Sequence, residues 1–287
     1  MDFATTDLTA RIGTEVRTDI ETLISGRIAR ELRALLNERG VLIFRSLNVT
    51  DEQQLQFART MGEVRLEHGL TNTTISADRS QSPIFADYTQ GTYYFHIDGT
   101  YTDTPGLASI LCPRVLAPQG GQTQFCNTYA LYDDLPDAEK AFFEGLRAVH
   151  SAEHNLRIPF PDPTAEQLAH WGEGVNPPKE HPLVWQHENG RKSLLLATTI
   201  KNFVGMDVGM DAGMDRAQSD GLVQRLLAMA EDPQYIYSHE WQLGDMLIWD
   251  NTGTMHRVVP FDLDCGRKLN RVVLLGEEQI QGVREAA

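Results

Sequence analysis

The chain has 287 residues, of which 41 % are hydrophobic and 8 % aromatic, enough apolar material for one large core. Its 25 Lys plus Arg stand against 40 Asp plus Glu, a formal charge of -15, and an acidic surface repels phosphate backbones and anionic headgroups, which excludes nucleic acid and membranes as expected partners. No run reaches the ~18 apolar residues that a bilayer span needs, the stretch MDFATTDLTAR has no apolar segment of signal-peptide type, and the expected address is cytoplasmic.

In chain order, Leu23, Ile24, Ile28, Leu32, Leu35 and Leu36 recur at spacings of three and four, which predicts one helix from Glu21 to Arg39, stopped by Gly40. Val41-Leu42-Ile43-Phe44 predicts a short buried strand. Thr50 and Gln53 form a capping-box pattern that opens a helix through Leu55, Phe57, Ala58 and Met61 to Gly62. From Arg65 to Thr92 the chain is polar and aperiodic, and is expected to be a long loop at the mouth of a site. Thr92–Phe95 is expected to be a strand that delivers His96. Ala108–Leu116 and Gln122–Cys126, separated by the turn Pro118-Gln119-Gly120-Gly121, are expected to form a β-meander.

A helix is expected from Leu135-Pro136-Asp137 through Ala141, Phe142, Leu146 and Val149. Six of the 13 prolines fall between Ile158 and Pro182, so residues 151–182 are expected to be an inserted lid. A short Gly-Met-Asp repeat, GMDVGMDAGMD, precedes a helix at Leu222–Ala230, and the runs Met246–Trp249 and Arg271–Leu275 read as strands. Strands in the middle and at the end, with helices early and in the connections, predict a mainly β, α+β chain: one domain over 1–287, built as an antiparallel β-sandwich supported by helices.

Cys112, Cys126 and Cys265 are far apart with no CxxC pair, which speaks against a disulfide framework and a zinc–thiolate centre. His96 and Asp98, in FHID, would share one face if they stood on a strand. A triplet of that kind is a weak signal by itself, and taken alone a hydrogen-bonded histidine beside a surface acid is the better explanation. The stretch GDMLIWDNTGTMHRVVPFDLDCGRKLNR adds His256, followed by Arg267 and Arg271. Two histidines and a carboxylate on one face of an octahedral ion leave positions open for a chelating 2-oxo acid and dioxygen, which suits iron(II). An arginine fork suits the far carboxylate of that acid.

Val41-Leu42-Ile43-Phe44-Arg45, His96-Ile97-Asp98, Gly120-Gly121-Gln122-Thr123, His181-Pro182-Leu183-Val184, Gly190-Arg191-Lys192, Trp249-Asp250-Asn251, His256-Arg257, Arg267 and Arg271 occur in an order and spacing that resembles the taurine dioxygenase and 2,4-dichlorophenoxyacetate oxygenase family. The resemblance covers most of the chain. It implies a double-stranded β-helix, or jelly roll, with His96, Asp98 and His256 as metal ligands and catalytic centre. It implies Thr123 and Arg267 as holders of 2-oxoglutarate, and Fe(II), 2-oxoglutarate and O2 as cofactor and co-substrates. The implied activity is hydroxylation of an unactivated C–H bond of a small organic molecule, a carboxylate or sulfonate with a hydrophobic body, with release of succinate and CO2. The resemblance also implies a homo-oligomer, a dimer or tetramer rather than a monomer.

Arg271 has two readings. In relatives acting on sulfonates the matching arginine grips the substrate anion, and in others it lies near the co-substrate. His68 and Tyr94 are the further expected substrate contacts, and Tyr93, Phe95, Phe160 and Trp171 would suit an apolar or aromatic body. The sequence departs from the family pattern at Gln122, where relatives carry an acid, and at Gly99-Thr100-Tyr101 after Asp98. Asp98 itself favours hydroxylation over halogenation, because halogenating relatives have a small residue there. Competing readings are a Zn- or Mn-dependent jelly-roll hydrolase or isomerase that does not use 2-oxoglutarate, which leaves Thr123 and Arg267 unexplained, and a non-catalytic jelly-roll binding protein. His150 and His154, four apart, have no third ligand in sequence.

Overall fold

The computed structural model describes residues 2–78, 80, 86–205 and 213–283. Two short strands, β1 (Ala4–Asp7) and β2 (Thr14–Arg17), precede helices α1 (Ile20–Ile24) and α2 (Ala29–Arg39). The single helix expected over Glu21–Arg39 is therefore broken, at Gly26 with φ 74°. Two helices that bury one common face carry the same apolar spacing as one, so periodicity does not register the break. Gly40 stops α2 as expected, with φ 71° and its N–H on the Leu36 carbonyl, and β3 (Val41–Phe44) follows. Thr50 and Gln53 cap α3 (Asp51–Met61) reciprocally.

The expected mouth loop contains β4 (Thr73–Ser76) and α4 (Ala86–Gly91). β4 is a strand because it pairs with the last strand of the chain, a partnership that its polar composition does not announce. β5 (Ala108–Val115) and β6 (Thr123–Asn127) lie close to their expected bounds. They do not form a meander, because each pairs with late strands in a different sheet.

Helices α5 (Thr128–Asp133) and α6 (Asp137–Glu144) come next. The helix expected to reach Val149 ends at Gly145, and Val149 lies in β7 (Arg147–His150). Between them, α7 (Ala152–Leu156), α8 (Ala165–Trp171) and β8 (Lys179–Pro182) give the proline-rich stretch more order than a bare lid would have. The chain continues through β9 (Val184–Gln186), β10 (Lys192–Leu194) and β11 (Ile200–Val204) to α9 (Arg216–Ala230). Most of the Gly-Met-Asp repeat lies outside the described residues. The final strands are β12 (Ile236–His239), β13 (Met246–Asp250), β14 (Thr254–Val258) and β15 (Lys268–Val273).

The large sheet has the order β1-β2-β3-β13-β5-β15-β4 and a smaller one the order β12-β6-β14. Two-residue periodicity separates the faces. Leu42 and Phe44 of β3, Ile110 and Cys112 of β5, and Met246 and Ile248 of β13 pack outward against Leu32 and Leu36 of α2 and Phe57 and Met61 of α3. Their neighbours Val41, Ile43, Leu111, Leu247, Trp249 and Leu269 turn inward to meet Phe125 of β6 and Tyr237 of β12. This is a double-stranded β-helix, a jelly roll whose outer face is covered by helices. Among the described residues no helix is long and apolar enough to cross a membrane.

The turn into β14 is set by Gly253, whose carbonyl accepts the Thr128 N–H at 3.1 Å. A Cβ at this position would stand 1.7 Å from Tyr129 Cε2, inside a ring that is itself 4 % exposed. Gly253→Ala is expected to destabilise by roughly 1–3 kcal/mol and to lower the thermal midpoint by several degrees. Calorimetry that finds an unchanged midpoint contradicts this account of the turn.

Candidate active site

His256 stands on β14 opposite Phe125 of β6, so both side chains leave the same face of the small sheet, toward the large one. Its ring lies 4.6 Å from that of Trp249. His96 reaches the same place by a different route from the one expected. Thr92–Phe95 is not a strand, and His96 is attached to the edge of the small sheet by an isolated bridge in which each residue of the pair His96/His256 donates its N–H to the other's carbonyl, at 3.0 and 2.9 Å. Asp98 follows at a turn, with Gly99 at φ 81°.

Asn251 fixes that turn. Its side-chain oxygen accepts the Asp98 N–H at 3.0 Å, and its amide donates to the carbonyls of Asp98 and Gly106, both at 2.9 Å. His96 Nε2 lies 3.6 Å from one Asp98 oxygen and His256 Nε2 lies 3.8 Å from the other. Both gaps are shorter than the ~4.2 Å that two metal–ligand bonds of ~2.1 Å span end to end. The three residues are the group among the described ones whose ligand atoms all fall within 4.8 Å of one another.

The surroundings of the donor set orient it for a divalent ion. His96 Nδ1 is 2.8 Å from the Tyr94 carbonyl, which makes it the N–H nitrogen and leaves the Nε2 lone pair directed at the site. Burial, with a smaller push from His96, holds His256 down to about 3, as a neutral imidazole. Burial by itself would raise the Asp98 carboxyl, but the site lowers it below the usual carboxylate range, and with both imidazoles neutral the cation that does so is Arg271, whose Nη1 lies 3.3 Å away. The residues therefore fit a divalent metal ion of the Fe(II) type, with two imidazole nitrogens and one carboxylate.

Next to the triad lies a cavity of about 680 Å³, lined among others by Thr123, Arg267 and Arg271. Arg267 is 7 % exposed, and its guanidinium donates to the Gly121 carbonyl at 3.0 Å and lies 4.8 Å from the Phe261 ring centroid. No carboxylate pairs with it among the described residues, and burial lowers it to about 10. A buried cation with no acid of its own is a place for an anion. The double glycine makes room for it: a Cβ on Gly121, at φ 76°, would come 2.9 Å from Arg267 Nε, and one on Gly120 would come 2.1 Å from the Pro260 carbonyl oxygen. Thr123 Oγ1 accepts the Trp241 indole N–H at 3.0 Å, so its own hydroxyl proton remains to be donated elsewhere.

Arg271 is placed differently. Its Nη2 contacts both Glu67 oxygens, at 2.9 and 3.1 Å, and its Nη1 lies 3.3 Å from Asp98 Oδ2. His68 lines the cavity, but Tyr94 does not and contributes its carbonyl instead. The expected aromatic lining is also corrected. Phe95 and Trp171 are 3 % and 0 % exposed, packed in the interior, while Tyr88, Tyr101 and Trp249 line the cavity. From the stretch 151–182, Ala152, Asn155, Leu156, Ala169, His170 and Asn176 form part of its wall. His150 is buried on β7 against the Thr199 hydroxyl at 2.9 Å, and the ligand cluster among the described residues does not include it. Reading the sequence missed Glu67, Asn251 and Trp241 as site residues; only Asn251 stood inside a recognised motif.

Comparisons with known proteins agree with this geometry. The profile of the "Taurine catabolism dioxygenase TauD, TfdA family" matches residues 4–273. An alpha-ketoglutarate-dependent 2,4-dichlorophenoxyacetate dioxygenase of Burkholderia sp. (strain RASC) is 29 % identical over 277 residues, covering 90 % of this chain and 89 % of that protein. An alkylsulfatase of Acinetobacter baylyi (strain ATCC 33305 / BD413 / ADP1) is 32 % identical over 278 residues, covering 94 % of this chain and 84 % of the other. The crystal structure of AAD-2 in complex with Mn(II) and N-oxalylglycine superposes with a TM-score of 0.79 at 28 % identity, covering 97 % of this chain and 99 % of that one. The chain belongs to the TauD/TfdA family. Its activity class is that of a 2-oxoglutarate-dependent non-haem iron dioxygenase, which takes Fe(II), 2-oxoglutarate and O2.

With its pKa held below the ordinary 6.5, His256 stays neutral in the folded protein at neutral pH. The sign follows from linkage: protonation favours the unfolded chain, so the contribution is complete above 6.5 and is lost as pH falls toward 3. In metal-free protein, NMR of the His256 ring is expected to show no titration between pH 8 and about 5. A midpoint near the ordinary histidine value overturns that assignment.

Proposed function

We propose that His96, Asp98 and His256 hold the iron and that Thr123 and Arg267 hold the far carboxylate of 2-oxoglutarate. The observation that carries this reading is the buried, acid-free guanidinium of Arg267 in the same cavity as the triad. When bound, the iron with 2-oxoglutarate and O2 supplies an oxidant that hydroxylates a C–H bond while the co-substrate is converted to succinate and CO2.

The chain's own groups bind, orient and shield. The Tyr94 carbonyl keeps the proton of His96 on Nδ1, and the Asn251 pincer fixes the main chain of Asp98. Trp241 turns the Thr123 hydroxyl into a donor, which together with the Arg267 fork gives a carboxylate two kinds of hydrogen bond. Tyr88, Tyr101 and Trp249 offer apolar surface to the substrate and keep water from the reacting carbon. Residues 151–182 act as a lid over one wall of the cavity, His68 as a contact at its mouth, and Arg271 as a neighbour of the metal ligands. We also propose that residues 1–287 form a single domain, working in the cytoplasm as a dimer or tetramer. The family resemblance supports the assembly, and the acidic composition supports the address.

A Zn- or Mn-dependent hydrolase or isomerase without 2-oxoglutarate gives Arg267 no partner, and the same assay separates the two readings. Adding Fe(II) and 2-oxoglutarate under anaerobic conditions is expected to give a weak visible charge-transfer band, lost in His96→Ala and His256→Ala, and air is expected to give succinate. Arg267→Ala should weaken 2-oxoglutarate binding by roughly 10- to 100-fold and Thr123→Val by about 3- to 10-fold. Wild-type protein that shows neither the band nor succinate contradicts the proposal.

A further inference from the structure

Glu67 lies outside the motifs that carry the family resemblance, and it is held at several points beside the cavity that it lines. It opens a two-residue hairpin in which Glu67 and Leu70 exchange both backbone hydrogen bonds, at 2.9 and 3.0 Å, around His68 and Gly69 at φ 51° and 82°. Two successive positive φ values are the mark of a tight turn whose twist suits the strands on either side. The Glu67 carboxylate is held at a third point by the Thr73 hydroxyl, at 3.1 Å. From this fixed position both its oxygens face Nη2 of Arg271. The pair is largely enclosed, with 18 % and 14 % of the two side chains exposed.

Resting on the reading of the cavity as the substrate pocket, we propose that Glu67 is a specificity-determining residue that withholds Arg271 from substrate anions, so that the substrate presents an uncharged group to the space beside the metal ligands. An incoming carboxylate or sulfonate at Arg271 would have to displace a bonded carboxylate that the hairpin and Thr73 hold in place. It would then lie near the displaced negative charge, with Asp98 already 3.3 Å from the same guanidinium. A neutral amide, hydroxyl or ether meets neither penalty, and the apolar lining of Leu66, Ile75, Leu111 and Leu156 favours it. The acid-binding role open to the matching arginine in sulfonate-using relatives is thus closed in this chain.

A matched pair of probes tests the proposal: 2,4-dichlorophenoxyacetate and its primary amide, titrated calorimetrically into protein loaded with Mn(II) and N-oxalylglycine. Glu67→Gln keeps the shape of the side chain and removes its charge. The ratio of acid to amide affinity is expected to rise by roughly tenfold or more in Glu67→Gln relative to wild type. Arg65 also lines the cavity, so the comparison is repeated in an Arg65→Ala background to remove its contribution. Thermal midpoints and bound Mn(II) verify that each variant is folded and loaded, and Glu67→Ala replaces any variant that is not. A ratio unchanged within about twofold, or an acid that binds neither protein, overturns the proposal. Succinate formation by wild-type protein reports on the activity separately, so a failure there leaves the charge exclusion standing, and the reverse also holds.

Discussion

The two backbone hydrogen bonds between His96 and His256 are the constraint on which the site depends. They tie a segment that is otherwise turn and coil to the edge of the small sheet, so two imidazoles from distant parts of the chain project from adjacent backbone into one space. Asp98, two residues on, then needs only a sharp turn to bring its carboxylate between them, and Gly99 with the Asn251 side chain supplies it. These groups are held together by main-chain hydrogen bonding and by the packing of Phe125 and Trp249 against His256, which is the preorganisation that a metal centre on a jelly roll demands.

The interior carries its cations in two ways, and the contrast organises the chemistry. Arg267 is buried against backbone and an aromatic ring, with an acid-free fork facing the cavity. Arg271 is buried as well, but burial's tendency to lower it is outweighed by Asp98 and Glu67, which raise it. One arginine thus meets a carbonyl and a ring while the other is paired with acids of the chain, within the same cavity. An enzyme that must place a dianionic co-substrate and a separate substrate side by side needs that kind of distinction, because two equivalent guanidinium groups would let each ligand occupy the other's place.

Much of the site was legible before any coordinates. His96, Asp98, His256, Thr123 and Arg267 carry chemistry in their side chains and stand in recognisable short motifs, and the structure brings all five to one cavity. The elements β3, α3, β13 and the core of β15 were equally legible, since continuous apolar runs and a reciprocal cap are local signals. The misses share a cause. β4 is polar and exists because β15 needs a partner. β5 and β6 are neighbours in sequence and read as a meander, yet each pairs with strands more than a hundred residues later. Glu67 and Trp241 act through partners distant in sequence, and a glutamate or tryptophan in a loop gives no local sign of that.

The sequence by itself determined the residue chemistry, the class of fold and the acidic, apolar-rich character of the chain, because these depend on side-chain type and on periodicities a few residues long. The tertiary structure alone decided which sheet each central strand joins, how His96 reaches the site without a strand, and which of two arginines pairs with acids of the chain. Those outcomes turn on hydrogen bonds and ion pairs between segments far apart in the chain. Distances of 3 Å between such segments are set by the packing of the two sheets and their turns, and nothing in local order encodes them.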